Sequence, residues 1–192
     1  MKKILLSLAA LSLFSCSNNV DLAIDNPSNN PIVVKIDTLT VEVGPREVAW
    51  VEMGQGEHQI TLENDSIVKF NFTEEMYMLN PTLTEYLMTE EFYGDEMSQM
   101  TYQSSLPKKT ITFLGTEIDG NYDVIKGLIN PVKWDVGPRE ELPEMVEMDA
   151  DEAYTTLLKI YDSVEFINLI QSSYSAEEAA TTEDAATTQA PQ

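Results

Sequence analysis

From Ile32 to Phe72 apolar residues recur at every second position, in runs too short for anything but strands. Ile32, Val34 and Ile36 alternate with Val33, Lys35 and Asp37, and Leu39, Val41 and Val43 alternate with Thr38, Thr40 and Glu42. A period of two lines one face of an extended chain, so each run has one face to bury. Gly44-Pro45 breaks the pattern, Val48 to Met53 is apolar on both faces with Trp50 inside it, and Gly54 and Gly56 mark the next turn. Ile60 and Leu62 then alternate with Gln59, Thr61 and Glu63; Asn64-Asp65 turns the chain; Val68, Phe70 and Phe72 alternate with Lys69 and Asn71. Runs of this length, with turns every eight to twelve residues, predict an antiparallel sandwich or barrel.

The flanks are less regular. Val20, Leu22 and Ile24 alternate ahead of the turns at Asn26-Pro27 and Asn30-Pro31. Thr84 to Tyr93 reads as a strand and Asp95 to Pro107 as a loop; strands resume at Thr110–Leu114 and near Val132–Val136. Glu140 to Glu152 holds seven acids in thirteen residues and reads as a solvated linker. From Asp151 the step changes: Ala153, Leu157, Ile160, Val164 and Ile167 follow a helical period to about Ser172, with Asp149 or Asp151 as N-cap. The broad apolar face predicts a helix packed on the sheet, the alternative being a partner-binding helix. Residues 174–192, rich in Ala, Thr and acids, predict a disordered tail.

Two phrases recur. Leu79-Asn80-Pro81 is matched by Ile129-Asn130-Pro131, and Val43-Gly44-Pro45-Arg46-Glu47 by Val136-Gly137-Pro138-Arg139-Glu140. Their separations, 50 and 93 residues, differ, so they predict shared turn chemistry and not a fixed-period repeat.

The strand pairs of residues 19 to 72, with Gly56-Glu57-His58-Gln59-Ile60 at a strand start, resemble small extracytoplasmic Ig-like or PEGA-like β-sandwich modules. The resemblance implies a binding or spacer unit. The expected fold is therefore mainly β, an antiparallel Ig-like sandwich with one C-terminal α-helix. The expected map is a leader at 1–15, a sandwich at 16–148, a helix at 149–173 and the tail. The sandwich is either one domain or two small β modules at about 19–72 and 83–140.

The first residues address location. Lys2 and Lys3 precede an eleven-residue apolar run, Ile4 to Phe14, broken only by Ser7 and Ser12. That is short of the roughly 20 residues needed to span a bilayer and has the length of a signal-peptide core. Leu13-Phe14-Ser15-Cys16 resembles the lipobox of bacterial lipoproteins, with a bulkier second residue than is usual. The resemblance implies diacylglyceryl transfer to Cys16, cleavage before it, and a mature chain held by acyl chains, each buried methylene contributing about 0.8 kcal/mol. Ser17, in place of the Asp that signals inner-membrane retention in Gram-negative lipoproteins, implies an outer-membrane anchor facing the periplasm or the cell surface.

Charge then narrows the partners. The net charge is −22, and loss of Lys2 and Lys3 with the leader would make it two units more negative. Such a surface repels nucleic acid and anionic lipid headgroups, which leaves the lipid on Cys16 as the route to the membrane. Cys16 is the one cysteine, so no disulfide or Cys-rich zinc site is available within the chain.

Catalytic signals are sparse. The one histidine, His58, shares a strand face with Ile60 and Leu62 and reads as an edge-of-core residue. No cofactor is expected. A buried carboxylate with a raised pKa in a cleft is the feature that would favour an enzyme. Asp119, Asn121 and Asp123 carry the first ligands of an EF-hand-like loop, but Val124 and Asn130 stand where that loop needs Gly and Glu, and Asp-Gly-Asn is also a hairpin turn. Tyr77, Tyr86, Phe92, Tyr93, Tyr102 and Trp134 are candidates to stack on a glycan, or else core residues. Asp37-Thr38-Leu39, Asp65-Ser66-Ile67 and Asp162-Ser163-Val164 resemble the acceptor pattern of a periplasmic O-glycosylation system, which implies Thr38, Ser66 and Ser163 as acceptors. The function expected is a non-catalytic envelope lipoprotein that serves as a structural or protein-interaction module. The alternative is a glycan- or divalent-metal-binding receptor component.

Overall fold

The computed structural model describes residues 19–149 and 152–172. The leader, Cys16 and the tail lie outside them. The fold is mainly β, with antiparallel sheets and a C-terminal helix. Strands β1 (Asn19–Asn26), β4 (Glu47–Gly54), β7 (Met76–Leu79) and β12 (Ile129–Pro131) form the first sheet, in the order β12-β7-β1-β4. Strands β2 (Ile32–Ile36), β3 (Leu39–Val43), β5 (Gly56–Thr61) and β6 (Ile67–Phe72) form the second, in the order β3-β2-β5-β6.

These two sheets are the sandwich the alternation predicts. Val20, Leu22, Ile24, Tyr77 and Leu79 from the first sheet meet Ile32, Val34, Ile36, Val43, Ile60 and Phe72 from the second in one core. Phe72 sits at its end, edge-on to Phe70, Tyr77 and His58. One pairing departs from the antiparallel expectation: β1 runs parallel to β7 while running antiparallel to β4.

A second unit continues the chain. Strands β8 (Tyr86–Gly94), β11 (Asp123–Ile125) and β13 (Tyr154–Tyr161) form a three-stranded sheet, with β8 in the middle. Strands β9 (Lys109–Phe113) and β10 (Thr116–Gly120) form a hairpin. Met78, Tyr86 and Ile160 make a small core here, packed by Met88, Ile125, Val132 and Trp134.

Three local expectations are corrected. The segment read as a loop after Asp95 is helix α1 (Glu96–Ser105), capped by the Asp95 side chain, which accepts from Ser98 N at 2.9 Å. The helix expected from Asp151 is a strand first: β13 pairs with β8 at eight positions, from Tyr154 opposite Gly94 to Tyr161 opposite Leu87. Helix α2, residues 163–172, begins only after Asp162, which takes the N-cap place expected of Asp149 or Asp151. Leu157, Leu158, Ile160 and Tyr161 satisfy a helical step and a two-faced strand equally, and the long partner strand decides between them. The third correction concerns Val132–Val136, which makes no strand: the pairing falls earlier, in β12, and Val136 keeps a single bridge to Lys159. Helix α2 covers the body in part: Phe166 packs edge-on to Phe113 at 5.5 Å, while Val164 and Ile167 stay 47% and 45% exposed.

Candidate functional site

The recurring Val-Gly-Pro-Arg-Glu phrases are two copies of one loop. In each, Pro stands at the second place of a turn and Arg at the third, with φ +60° at Arg46 and +62° at Arg139. That place in a type II turn normally takes glycine. In each, the glutamate folds back over the glycine: a Cβ on Gly44 would strike the Glu47 carboxylate, and Gly137 N donates to Glu140 Oε2 at 2.8 Å. Two arginines held in a left-handed conformation need a reason, and the reason lies at their side-chain ends.

Both guanidinium groups converge on Asp162. Arg139 Nη1 lies 2.6 Å and Arg46 Nη2 3.0 Å from Asp162 Oδ2. The other oxygen accepts from the backbone of Val164 and Glu165, both at 3.0 Å, and so caps α2. Arg139 Nη2 also pairs with Asp25 Oδ1, and the Tyr86 hydroxyl donates to Asp25 Oδ2. Arg46 Nη1 reaches back to Pro27 O at 2.8 Å. Lys159, buried, donates to the carbonyls of Gly137 and Glu140 at 3.1 and 2.8 Å and pairs with Glu165 at 3.0 Å. Glu165 in turn accepts from Arg139 N. Two acids and two arginines thus balance at the junction of the sandwich, the second unit and α2.

The two carboxylates titrate in opposite directions. Burial pushes the Asp25 carboxyl above its ordinary value, and the Tyr86 hydrogen bond and the Arg139 charge only partly counter it. Burial also acts to raise Asp162, but hydrogen bonds from the Glu165 backbone, Arg139 and Arg46 outweigh it and hold that carboxyl below the usual range. Burial and then the Asp25 charge push the Tyr86 phenol far up, so it remains a donor.

Asp25 is the one member of this cluster that reaches a groove on the outer face of the first sheet. The groove, of about 220 Å³, is walled by Ala23 and Asp25 of β1, Val48 and Trp50 of β4, and Met76 and Met78 of β7. The segment from Val132 to Glu140, with Trp134 and Pro138, closes its other side. Both tryptophans of the chain line it. Trp50 is 57% exposed, the one large ring of the sandwich left open to solvent. Every charged residue of the lining is acidic: Asp25, Asp135 and Glu140.

The residues singled out in the sequence fall elsewhere, Trp134 apart. Tyr86 is fully buried and presents no face to a ligand, and its role is the bond to Asp25. Phe92 stacks on Tyr154 and Tyr102 lies tilted against both, centroids 5.1 to 5.4 Å apart, which joins α1 to β8 and β13. The Tyr93 hydroxyl donates to Pro143 O at 2.9 Å. Tyr77 belongs to the sandwich core. The loop acids are separately engaged: Asp119 by Thr110 at 2.6 Å and Asp123 by Lys109 at 3.0 Å, while Asn121 donates to Glu90 at 2.9 Å. Among the described residues no three His, Cys, Asp or Glu side chains gather as a metal site. His58 lies between Asp37 Oδ2, at 2.7 Å, and Gly54 O, at 2.8 Å, an anchor for the β2–β3 turn.

Thr38 is exposed in that turn and Ser66 is half-buried in the β5–β6 turn; Ser163 opens α2 beside the buried Asp162. Among the described residues no helix is long and apolar enough to cross a membrane. Asp25, Arg46, Trp50, Arg139 and Asp162 were not foreseen as a site. The recurring phrase held the signal for the two arginines: an Arg where the turn wants Gly is a residue kept for its side chain. No family model, curated protein or solved structure matches the chain.

Proposed function

We propose that the protein is a lipid-anchored, non-catalytic lipoprotein of the bacterial envelope. Its sandwich acts as an interaction module that engages a partner through the two-tryptophan groove. The observation that carries this reading is the groove itself: an apolar trough holding both tryptophans, with Trp50 left 57% exposed. Exposed tryptophan in a concave apolar site is a common mark of a binding surface. The Lys2-Lys3 leader and the Leu13-Phe14-Ser15-Cys16 motif support the anchor at Cys16 and an outer-membrane location, facing the periplasm or the surface.

Asp25 has the burial and the raised pKa that acid–base chemistry seeks. Both its oxygens, however, are already engaged, by Arg139 and Tyr86. That supports a load-carrying role for the carboxylate over a catalytic one. A neutral glycan is the second reading, favoured by the open face of Trp50, on which a sugar ring could stack.

The test separates anchor from groove. Cys16→Ala should release the protein from envelope membranes. Trp50→Ala should stay on the membrane and lose the partner captured by chemical crosslinking in intact cells. Release of neither variant, or an unchanged crosslink in Trp50→Ala, would remove the corresponding half of the proposal.

A further inference from the structure

Strand β4 is the last strand of its sheet, and among the described residues no strand lies beyond it. It is eight residues long, contains no proline, and carries Val48 and Trp50 on the groove side. An unpaired edge of this length is a template for another strand. A segment added there would set every second side chain on the groove face, beside Trp50 at its rim.

The electrostatics choose among occupants. No lysine or arginine lines the groove. Asp135 accepts from Leu158 N through Oδ2 and Glu140 from Gly137 N through Oε2. Among the described residues the second oxygen of each has no further partner. Further along the same face Asp21 stands directly opposite Glu52 in the β1–β4 pairing, two like charges at one cross-strand position. Tryptophan faces attract cations through the ring quadrupole. A second copy of the chain, at net charge −22, meets repulsion over the same face.

We infer that the groove takes an extended segment of a basic protein, added to the edge of β4, with a lysine or arginine seated against Trp50 and reaching into the groove toward Asp135 and Glu140. This rests on the groove being the working surface, and names what it works on.

The full chain in mild detergent is titrated with a hexapeptide of alternating Val and Lys, read by tryptophan emission. Three relatives of the peptide serve as comparisons: Lys replaced by Glu, Lys replaced by Thr, and the Val-Lys peptide N-methylated at alternate residues. The Val-Lys peptide should shift the emission, with affinity falling about tenfold or more from low to high salt. Trp50→Ala and Glu140→Gln should each weaken it several-fold, with unchanged circular dichroism. The Glu and N-methylated peptides should not bind. Equal binding of the Thr peptide would overturn the cation, and equal binding of the N-methylated peptide would overturn strand addition. If a neutral oligosaccharide shifts the emission and the Val-Lys peptide does not, this inference fails while the groove stands. If none of these probes moves the emission, both fall.

Discussion

Removing Arg139 should be the most informative lesion in the molecule. Its side chain, 17% exposed, is shared by Asp25 and Asp162, whose side chains are 1% and 0% exposed. In Arg139→Met the backbone cost at φ +62° is unchanged, because Met has the same Cβ, so the charge effect is isolated. Two buried carboxylates would then face one remaining arginine, Arg46. Breaking a buried pair from one side costs about 3 to 5 kcal/mol. For a domain of this size that is a fall in Tm of roughly 6 to 20 °C.

The pH dependence gives the sharper sign. Asp25 already has a raised folded-state pKa, and loss of Arg139 raises it further. A carboxyl raised in the fold supports stability below its unfolded value, and that support is lost as pH rises through the folded value. The deficit of Arg139→Met should therefore be largest at neutral pH and shrink toward about pH 4. Adding Asp25→Asn should restore part of the loss, since it removes the orphaned charge and keeps an acceptor for Tyr86. Urea unfolding followed by circular dichroism at both pH values reads all of this. A loss below about 1 kcal/mol, or a deficit that grows toward acid, would mean that Arg139 does not neutralise the two buried carboxylates.

Further outcomes follow from the same contacts. Asp162 lies below its ordinary value, so its contribution is complete above the unfolded carboxyl range and is lost as pH falls through the folded value. Asp162→Asn should then flatten the acid limb of a stability curve while destabilising the neutral protein by about 2 to 4 kcal/mol. Tyr86, Tyr102 and Tyr161 are all pushed up, chiefly by burial, so their support holds up to the usual phenol range and is lost above it. Absorbance at high pH should show these phenols ionising only as the protein unfolds. Phe72→Ala should cost about 3 to 5 kcal/mol by emptying the end of the sandwich core, and a milder result would mean the neighbouring rings collapse into the space. Trp50→Ala, at a position 57% exposed, should change stability by less than about 1 kcal/mol, which thermal unfolding can check.

The sandwich was legible because burial on one face writes itself into every second residue. From Ile32 to Phe72 the alternation and the turns give the strands almost as they stand. The helix α1 was not legible: it has no fully buried residue, so Met97 and Met100, exposed at 75% and 65%, leave no apolar stripe to read. Strand β13 reads as a helix because its apolar residues fit two periods and its partner, β8, lies sixty or more residues away. The groove could not be read at all, since its walls come from β1, β4, β7 and the segment after β12, which meet only in the fold. Trp50 looked like one more apolar residue in a two-faced strand. The arginines were visible as a repeated phrase, but Asp162, which explains both, was read as the middle of a helix.

The anchored, partner-binding role is tested most directly by the native mass of the protein extracted from envelopes in mild detergent, measured beside Trp50→Ala. The extracted protein should be a lipid-modified chain beginning at Cys16, carrying a protein partner that Trp50→Ala loses while its lipid stays. An unacylated mass, or a partner retained equally by Trp50→Ala, would contradict that role.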